Sequence, residues 1–233
     1  MTTRKPRFPL LRTGVIACAL ALGAAGAAGA ARAQEQPQDY RPHPGMIAFK
    51  LGGAGVLFNS SGKFTLAGQP LAGADLKLSD NATAIVEGEY YFRRDLSLSL
   101  TVGVPPTLTA TGKGTLAPLG KLGSIQYGPG AVLAKYHFNG LGRLQPYVGG
   151  GATRMLIFSE HDAAITKLKV HPAWGGAVQA GADYMVTPRW GAFASVSHLF
   201  LRTHGQGSFA GLPVQAKIAL DPTIVMGGLT LRY

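Results

Sequence analysis

The chain has almost no cysteine, little charge and no long apolar run over most of its length. Its only cysteine among 233 residues is Cys18, so a disulfide within one chain is excluded. Charged residues make up 14% of the sequence, while hydrophobic residues make up 46%. After residue 33 no apolar run approaches the 18 residues of a membrane-spanning helix. These absences leave a packed β domain or a membrane β-barrel.

The first 33 residues are predicted to be a signal peptide. Four basic residues within the first twelve positions precede an apolar stretch from about Thr13, and residues 31–33 read Ala-Arg-Ala, an A-x-A cleavage pattern. A membrane-spanning helix is the alternative, but the stretch is mostly Ala and Gly and the cleavage signal follows it directly. Cleavage after Ala33 would remove Cys18, so thiol chemistry is not expected in the processed chain.

Cleavage would also remove five basic residues and no acid, leaving 17 basic and 11 acidic residues, a net charge of +6. This excess suits an anionic surface such as phosphate-bearing lipid, but it is too scattered to predict a nucleic-acid partner. Residues 34–45 are polar and rich in proline, which predicts an extended periplasmic tail. Residues 46–233 are the length of one domain.

Short segments of alternating character fill residues 46–233, separated by Gly, Pro, Asn and Asp. They predict eight strands: 46–58, 80–93, 95–106, 124–138, 144–158, 172–187, 189–203 and 216–233. The connections 59–79, 107–123, 159–171 and 204–215 are long, and they alternate with the short connections 94, 139–143 and 188. This alternation is typical of outer-membrane barrels, which have tight periplasmic turns and longer outer loops. The sequence therefore predicts an all-β fold, an eight-stranded antiparallel transmembrane β-barrel in a bacterial outer membrane.

The parity of side chains within the strands supports lipid on one face. In the third predicted strand Leu98 and Leu100 share a face that is opposite to Ser97 and Ser99. A soluble β-sandwich would alternate too, but it would carry more charge on its polar face. Here the charges keep to one parity, as expected if a lipid-facing Lys or Arg near the midplane costs about 2–4 kcal/mol. Aromatic residues near the strand ends fit interface girdles: Phe49, Tyr90, Phe92, Tyr136, Phe138, Tyr147, Tyr184 and Trp190.

Several stretches resemble the OmpW family of small outer-membrane barrels. They are Tyr136-His137-Phe138, residues 146–151 (Pro-Tyr-Val-Gly-Gly-Gly), 174–176 (Trp-Gly-Gly), 181–184 (Gly-Ala-Asp-Tyr), Asp221-Pro222 and the ending 227–233. The resemblance implies a narrow, largely apolar lumen that passes small hydrophobic compounds inward, with sideways exit into the membrane as one route. The aromatic last residue, Tyr233, also resembles the signal that the outer-membrane assembly machinery reads.

A set of ionisable residues takes the inward parity, mostly toward the short-turn end of the predicted barrel. The set is Lys50, Glu87, Glu89, Arg93, Lys135, His137, Asp183 and Arg232. An eight-stranded barrel has room inside only for side chains or one small ligand. Because unpaired buried charges are costly, we expect a paired network that plugs the periplasmic half, rather than a proton or ligand relay.

Inward parity and height select candidate contacts for a hydrophobic guest above that network. They are Ile85, Thr101, Phe193, Ser197, Leu199 and Met226. Gly and Pro near the upper strand ends would either open a side window or only bend the wall: Gly103, Pro105, Pro106, Gly128, Pro129 and Gly130. The predicted function is passage of small hydrophobic molecules. The alternative is a structural or surface-interaction barrel that binds partners through its outer loops without transport.

Enzyme activity is not expected. Ser197 and His198 are adjacent in one strand and so point to opposite faces, which separates a would-be nucleophile from its base. No G-x-S-x-G motif, metal-ligand spacing or cofactor motif occurs, so neither a metal nor a cofactor is expected. Lys113 and Lys121, in an acid-free outer loop, are candidate contacts for lipopolysaccharide phosphates, although a solvated loop is the simpler interpretation.

Overall fold

The computed structural model describes residues 39–233, almost all of them in antiparallel strands. The strands are Ile47–Leu57 (β1), Ser61–Leu66 (β2), Gln69–Pro70 (β3), Ala74–Leu78 (β4), Asn81–Tyr91 (β5), Leu96–Gly103 (β6), Thr107–Gly114 (β7), Lys121–His137 (β8), Leu144–Asp162 (β9), Thr166–Val170 (β10), Ala173–Met185 (β11), Trp190–Phe209 (β12), Leu212–Ala219 (β13) and Thr223–Arg232 (β14). Two short 3-10 helices cover Ala117–Leu119 and Asn139–Leu141. Among the described residues, no helix has the length and apolar character to cross a membrane. The predicted signal peptide, 1–33, and residues 34–38 of the predicted tail lie outside the described residues.

Eight of the strands close into a ring, which confirms the predicted fold. The order around the ring is β1, β5, β6, β8, β9, β11, β12 and β14, and β14 pairs with β1 again. Every pairing is antiparallel, and the closing pair runs in register from Ala48–Arg232 to Leu57–Thr223. Because the last strand pairs with the first, the ring has no terminal edge strand.

The predicted long connections contain further strands, which the sequence analysis did not identify: they continue the barrel hairpins as β2, β3, β4, β7, β10 and β13. The strands β8, β9 and β12 also run past their predicted ends. The last barrel strand begins at Thr223 rather than at residue 216, since Asp221 has a positive φ of 30° and Pro222 has no N–H to give to a ladder. We call the end of the barrel that carries these extended connections the long-loop end, and the opposite end the short-turn end.

The outer wall carries an apolar band with aromatic residues at both edges. Leu51 is 63% exposed and Leu100 54%, although both are strand residues that a soluble protein would cover. On β11 the outward Trp174 and Tyr184 are ten residues apart, and on β12 the outward Phe200 and Trp190 have the same spacing. A transmembrane strand needs about 9–11 residues to cross the hydrocarbon. The band therefore has the height of a bilayer core.

Glycines allow the closing strands β1 and β14 to approach each other. Gly52 and Gly228 are partners in the register and both face the interior. A Cβ atom on Gly52 would lie 2.1 Å from the Gly227 carbonyl oxygen, whereas a Cβ atom on the neighbouring Gly53 would meet nothing within 4 Å. Only the inward position therefore requires glycine for steric reasons.

Replacing Gly52 by alanine is expected to lower the free energy of unfolding by about 1–3 kcal/mol, because the added methyl group forces the closing strands apart. Gly53→Ala is the matched control and should leave stability unchanged. Urea unfolding in lipid vesicles, followed by tryptophan fluorescence, measures both. Equal stability of the two variants would show that close approach of the backbones does not limit closure.

Candidate functional site

The interior of the barrel changes character along its axis. Charged side chains fill the short-turn end, a small apolar cluster of Ala54, Ile85, Phe193 and Met226 follows, and a larger apolar core lies at the long-loop end. The inward parity of the strands places each of these groups, because alternate residues of every ring strand face the lumen.

Six of the predicted ionisable residues form a network of buried ion pairs. Lys50 Nζ lies 3.0 Å from Asp183 Oδ1 and 3.1 Å from Glu89 Oε2. Lys135 Nζ donates to Glu87 Oε1 at 2.6 Å. Asp183 is shared, because Arg232 Nη2 donates to its Oδ2 at 2.9 Å.

This network carries three cations and three carboxylates, so its formal charge is balanced without an ion from solution. All six residues are buried within the lumen. Balanced pairing is what allows charged groups to remain in a low-dielectric interior. Together with His137 we call these residues the polar plug: Lys50, Glu87, Glu89, Lys135, His137, Asp183 and Arg232.

Neutral groups complete the polar plug. Ser97 Oγ donates to Glu89 Oε1 at 2.5 Å and lies 2.9 Å from His137 Nε2. Thr101 Oγ1 donates to Glu87 Oε2 at 2.7 Å, so this predicted guest contact belongs to the polar plug. The Tyr147 ring lies beneath both lysines, with Lys50 Nζ 4.5 Å and Lys135 Nζ 4.8 Å from its centroid.

The described part of the tail packs against the polar plug from the short-turn end. The Tyr40 carbonyl oxygen accepts a hydrogen bond from Arg232 Nη1 at 3.1 Å and another from Gln145 Nε2. Pro42 and Met46 are buried, and Gly45 N donates to the Tyr91 carbonyl at 2.7 Å. Residues 39–46 therefore close this end over the charges.

Two side chains, Arg93 and Tyr147, do not lie where the sequence analysis predicted them. Arg93 is exposed and takes no part in the polar plug, because β5 ends at Tyr91 and strand parity no longer applies in the turn that follows. Tyr147 does not belong to the outer girdle: it is 2% exposed and faces the lumen, since it has the same parity on β9 as the buried Gln145. The sequence pattern missed this because an aromatic ring near a strand end suits either face.

The other predicted guest contacts lie inside the barrel but do not surround one cavity. Ile85, Phe193 and Met226 fill the small apolar cluster together with Ala54. Ser197 Oγ accepts a hydrogen bond from Gln179 Nε2 at 3.1 Å, and Leu199 belongs to the larger apolar core. Contact of these residues with a guest stays a prediction.

The larger apolar core borders a partly open cavity of about 70 Å³ at the long-loop end. Its wall is almost entirely apolar and includes Phe64, Leu76, Leu108, Leu122, Ile125, Met155, Leu168, Ala216 and Ile218. Most of these residues lie in segments that were predicted as connections, so sequence reasoning did not select them. The signal that could have found them is the short alternation within 74–78 and 214–218, where every second residue is apolar.

The turn between β9 and β10 contributes to the wall of this cavity and is held by Asp162. Its Oδ2 accepts from Lys167 N at 2.8 Å and its Oδ1 from Leu168 N at 3.0 Å. These two backbone N–H groups favour the carboxylate and lower the pKa of Asp162 below its ordinary value. The carboxylate thereby positions Ile165 and Leu168, whose side chains line the cavity.

The ladder of the barrel wall is interrupted where the predicted window residues lie. Pairing of β6 with β8 stops at Val102–Gly130, and pairing with β8 resumes on β7 at Thr107–Gln126. Between them one backbone hydrogen bond remains, from Tyr127 N to the Pro106 carbonyl at 3.2 Å. Pro105 and Pro106 have no N–H to donate. We call this break the β6–β8 seam.

The adjacent Ser197 and His198 face opposite sides of the wall. Ser197 is buried in the lumen, while His198 Nδ1 lies 3.2 Å from Thr223 Oγ1 and its ring contacts the outward Phe200. The arrangement gives no hydrogen bond between a serine nucleophile and this histidine.

Comparison with known proteins gives one family. A model of the OmpW family matches residues 43–233. The dibenzothiophene metabolism operon protein PahQ of Pseudomonas aeruginosa is 31% identical over 192 residues, which cover 82% of this chain and 86% of that protein. Outer membrane protein AlkL of Ectopseudomonas oleovorans is 28% identical over 172 residues, covering 74% and 75%.

Solved structures agree with the fold. The crystal structure of the outer membrane protein OprG from Pseudomonas aeruginosa superposes with a TM-score of 0.78 at 22% identity, over 84% of this chain and 99% of that one. The solid-state NMR structure of AlkL in lipid bilayers superposes with a TM-score of 0.66 at 25% identity, over 82% and 91%.

Replacing Lys50 by methionine is expected to destabilise the barrel by about 3–5 kcal/mol, because Asp183 and Glu89 each lose a buried cation. Urea unfolding in lipid vesicles measures the change, with the exposed Lys77→Met as control. Adding Asp183→Asn to Lys50→Met should restore part of the loss, since one charge of each sign is then removed. A single variant as stable as the wild type would show that the network is not held by this lysine.

Proposed function

The chain belongs to the OmpW family and is an outer-membrane β-barrel protein, and on that premise we propose that it assists the passage of small hydrophobic molecules across the outer membrane. The observation that carries the proposal is the apolar cavity at the long-loop end, which lies above a lumen filled by ion pairs. Transfer of an apolar molecule from water into such a cavity is favourable, by roughly 25 cal/mol per Å² of apolar surface removed from water.

The names of relatives support this substrate class. PahQ is named for an operon of dibenzothiophene metabolism, and dibenzothiophene is an apolar aromatic compound. The cavity has the matching chemistry, with an almost wholly apolar wall. At about 70 Å³ it is smaller than the cavity of roughly 150 Å³ that holds benzene in an engineered protein, so side chains must move to admit a guest. Met155 and Leu168 are the flexible wall residues that can do so.

The polar plug makes passage straight through the barrel unfavourable. A guest moving past Lys50 and Asp183 would separate buried charges, and removing one partner of such a pair costs about 3–5 kcal/mol. An apolar guest cannot compensate this cost, because it forms no hydrogen bonds with the separated charges. This supports a path that leaves the lumen above the polar plug.

The β6–β8 seam supplies the exit in this proposal. It lies at the height of the upper strand ends, and a single backbone hydrogen bond holds it between two intact ladders. Tyr127 faces the lumen there, with its hydroxyl 3.3 Å from Asn81 Oδ1. Rotation of this ring and loss of the Tyr127–Pro106 bond would join the cavity to the lipid side. The guest would then remain in an apolar environment throughout.

The remaining elements of the proposal concern maturation. We propose that the signal peptide is cleaved after Ala33. We also propose that the outer-membrane assembly machinery recognises the last strand, which ends at Arg232 and is followed by Tyr233. The proposed role is transport without a catalytic step. The long-loop end, with the cavity, would lie on the outer side of the membrane. Tyr40 and the polar plug would lie on the periplasmic side.

Filling the cavity tests the transport role. Ala216→Phe adds a ring inside it, while Gln215→Phe adds the same ring on the outward face of the same strand. We expect the first variant to reduce uptake of an apolar aromatic solute into proteoliposomes about tenfold or more, and the second to leave uptake unchanged. A polar solute should enter slowly with every variant. Equal entry of apolar and polar solutes, or no effect of Ala216→Phe, would favour a barrel that only binds partners through its loops.

A disulfide across the upper edge of the β6–β8 seam tests the exit. Thr107 and Gln126 are partners in the register, so Thr107→Cys with Gln126→Cys can close the seam, and the processed chain has no other cysteine. Oxidation is expected to slow apolar uptake and reduction to restore it. The pair Ala180→Cys with Val196→Cys, partners on the intact β11–β12 wall, is the control. If oxidation leaves apolar uptake unchanged in both variants, guests do not leave through the seam. This conclusion does not depend on the result for the cavity variant.

A further inference from the structure

A cationic groove lies on the outer wall just above the apolar band. On the outward face of β12 the aromatic edge residue Phe200 is followed by Arg202 and then by His204, all exposed. Two residues of a strand span about 7 Å, so Arg202 lies one step outside the hydrocarbon edge. This is the depth at which the headgroups of the outer leaflet lie.

The groove is built by three paired strands. Lys63 on β2 is the partner of Lys217 on β13, and Lys217 is the partner of His204 on β12. In the row below, Arg202 pairs with Ala219, which pairs with Ser61. The small side chains of that row leave a groove of about 620 Å³ between the guanidinium and the two lysines.

The row of cations has no compensating acid on its own strands. Two lysines directly opposite each other on one face destabilise a sheet. Neither β2, β13 nor residues 202–209 of β12 contain Asp or Glu. Within the described chain, no carboxylate oxygen is ion-paired with Lys63, Lys217 or Arg202.

The one acid that lines the groove is Asp75, and its Oδ1 is already engaged by the backbone. It accepts from Gly62 N at 2.9 Å and from Leu76 N at 2.8 Å. Asp75 forms no ion pair with either lysine, so an anionic ligand would relieve the repulsion between them. An anion of two or more oxygens suits a planar guanidinium beside two ammonium groups.

We propose that this groove binds the phosphate groups of a glycolipid headgroup in the outer leaflet. Arg202 would hold phosphate oxygens from below, with Lys63 and Lys217 on the facing side, while the acyl chains lie along the apolar band beneath Phe200. Lys113 and Lys121 are on β7 and β8 and do not line the groove, so their contact with lipopolysaccharide stays a separate prediction.

The groove and the guest cavity share a wall. Thr203 and Ile218 line both, because they belong to the same strands whose outward residues form the groove. A lipid phosphate bound outside would join β2, β13 and β12 by charge and so stiffen the cavity wall. The groove itself needs no guest, so its occupancy does not depend on the transport role.

The test compares binding of diphosphorylated lipid A, dephosphorylated lipid A and inorganic phosphate to the full-length purified barrel in a neutral detergent. We expect diphosphorylated lipid A to bind at least tenfold more tightly than the dephosphorylated form, and raised salt to weaken it. Lys63→Gln with Lys217→Gln should lose this preference. Arg94→Gln with Arg189→Gln, which removes the same charge at the short-turn end, should keep it.

Equal binding of the two lipids, or full binding by the groove variant, would overturn the proposal. Inorganic phosphate that binds as tightly as the phosphorylated lipid would assign the groove to a free anion instead. Folding of the groove variant is checked separately by its heat-modifiable mobility in gels. Without lipid, Lys217→Gln alone should unfold at the same or a higher temperature than the wild type, because the opposed lysines no longer repel each other. A lower unfolding temperature would contradict the reason given for the site.

Discussion

Backbone hydrogen bonding in hydrocarbon is the constraint on which the rest of the structure depends. An unpaired N–H or C=O group within a bilayer costs several kcal/mol, so a sheet can cross only if it closes on itself. Here closure joins β1 to β14 through inward glycines at Gly52 and Gly228, and it fixes which side chains face the lumen. The charges inside, the apolar band outside and the height of both follow from that register.

The sequence predicted the barrel well because the bilayer imposes a strict alternation on each crossing strand. It also predicted the ionisable residues that meet in the lumen, since Lys50, Asp183 and Arg232 share the inward parity. It was wrong about Arg93, where parity ends with the strand, and about Tyr147, whose ring suits either face. The cavity was missed because above the membrane β4, β10 and β13 are short, and their alternation is too brief to separate from a loop.

The narrow lumen is filled in two different ways along its axis, by charged side chains at one end and by apolar side chains at the other. At the short-turn end, three cations and three carboxylates fill the cylinder and balance one another in charge. At the long-loop end, apolar side chains line a cavity of about 70 Å³ and are held by dispersion contacts that are individually weak. The lumen therefore passes from paired charges at one end to apolar side chains at the other.

The ion pairs of the polar plug join strands from both sides of the closing contact. Lys50 stands on β1, Asp183 on β11 and Arg232 on β14, and Tyr40 from the start of the described chain touches its end through Arg232. A barrel that had closed one residue out of step would turn Arg232 to the lipid and leave Asp183 short of a counterion. The polar plug therefore favours the correct register, because its ion pairs form only when the first and last strands are paired as observed. A barrel closed in another register would be the less stable product of assembly.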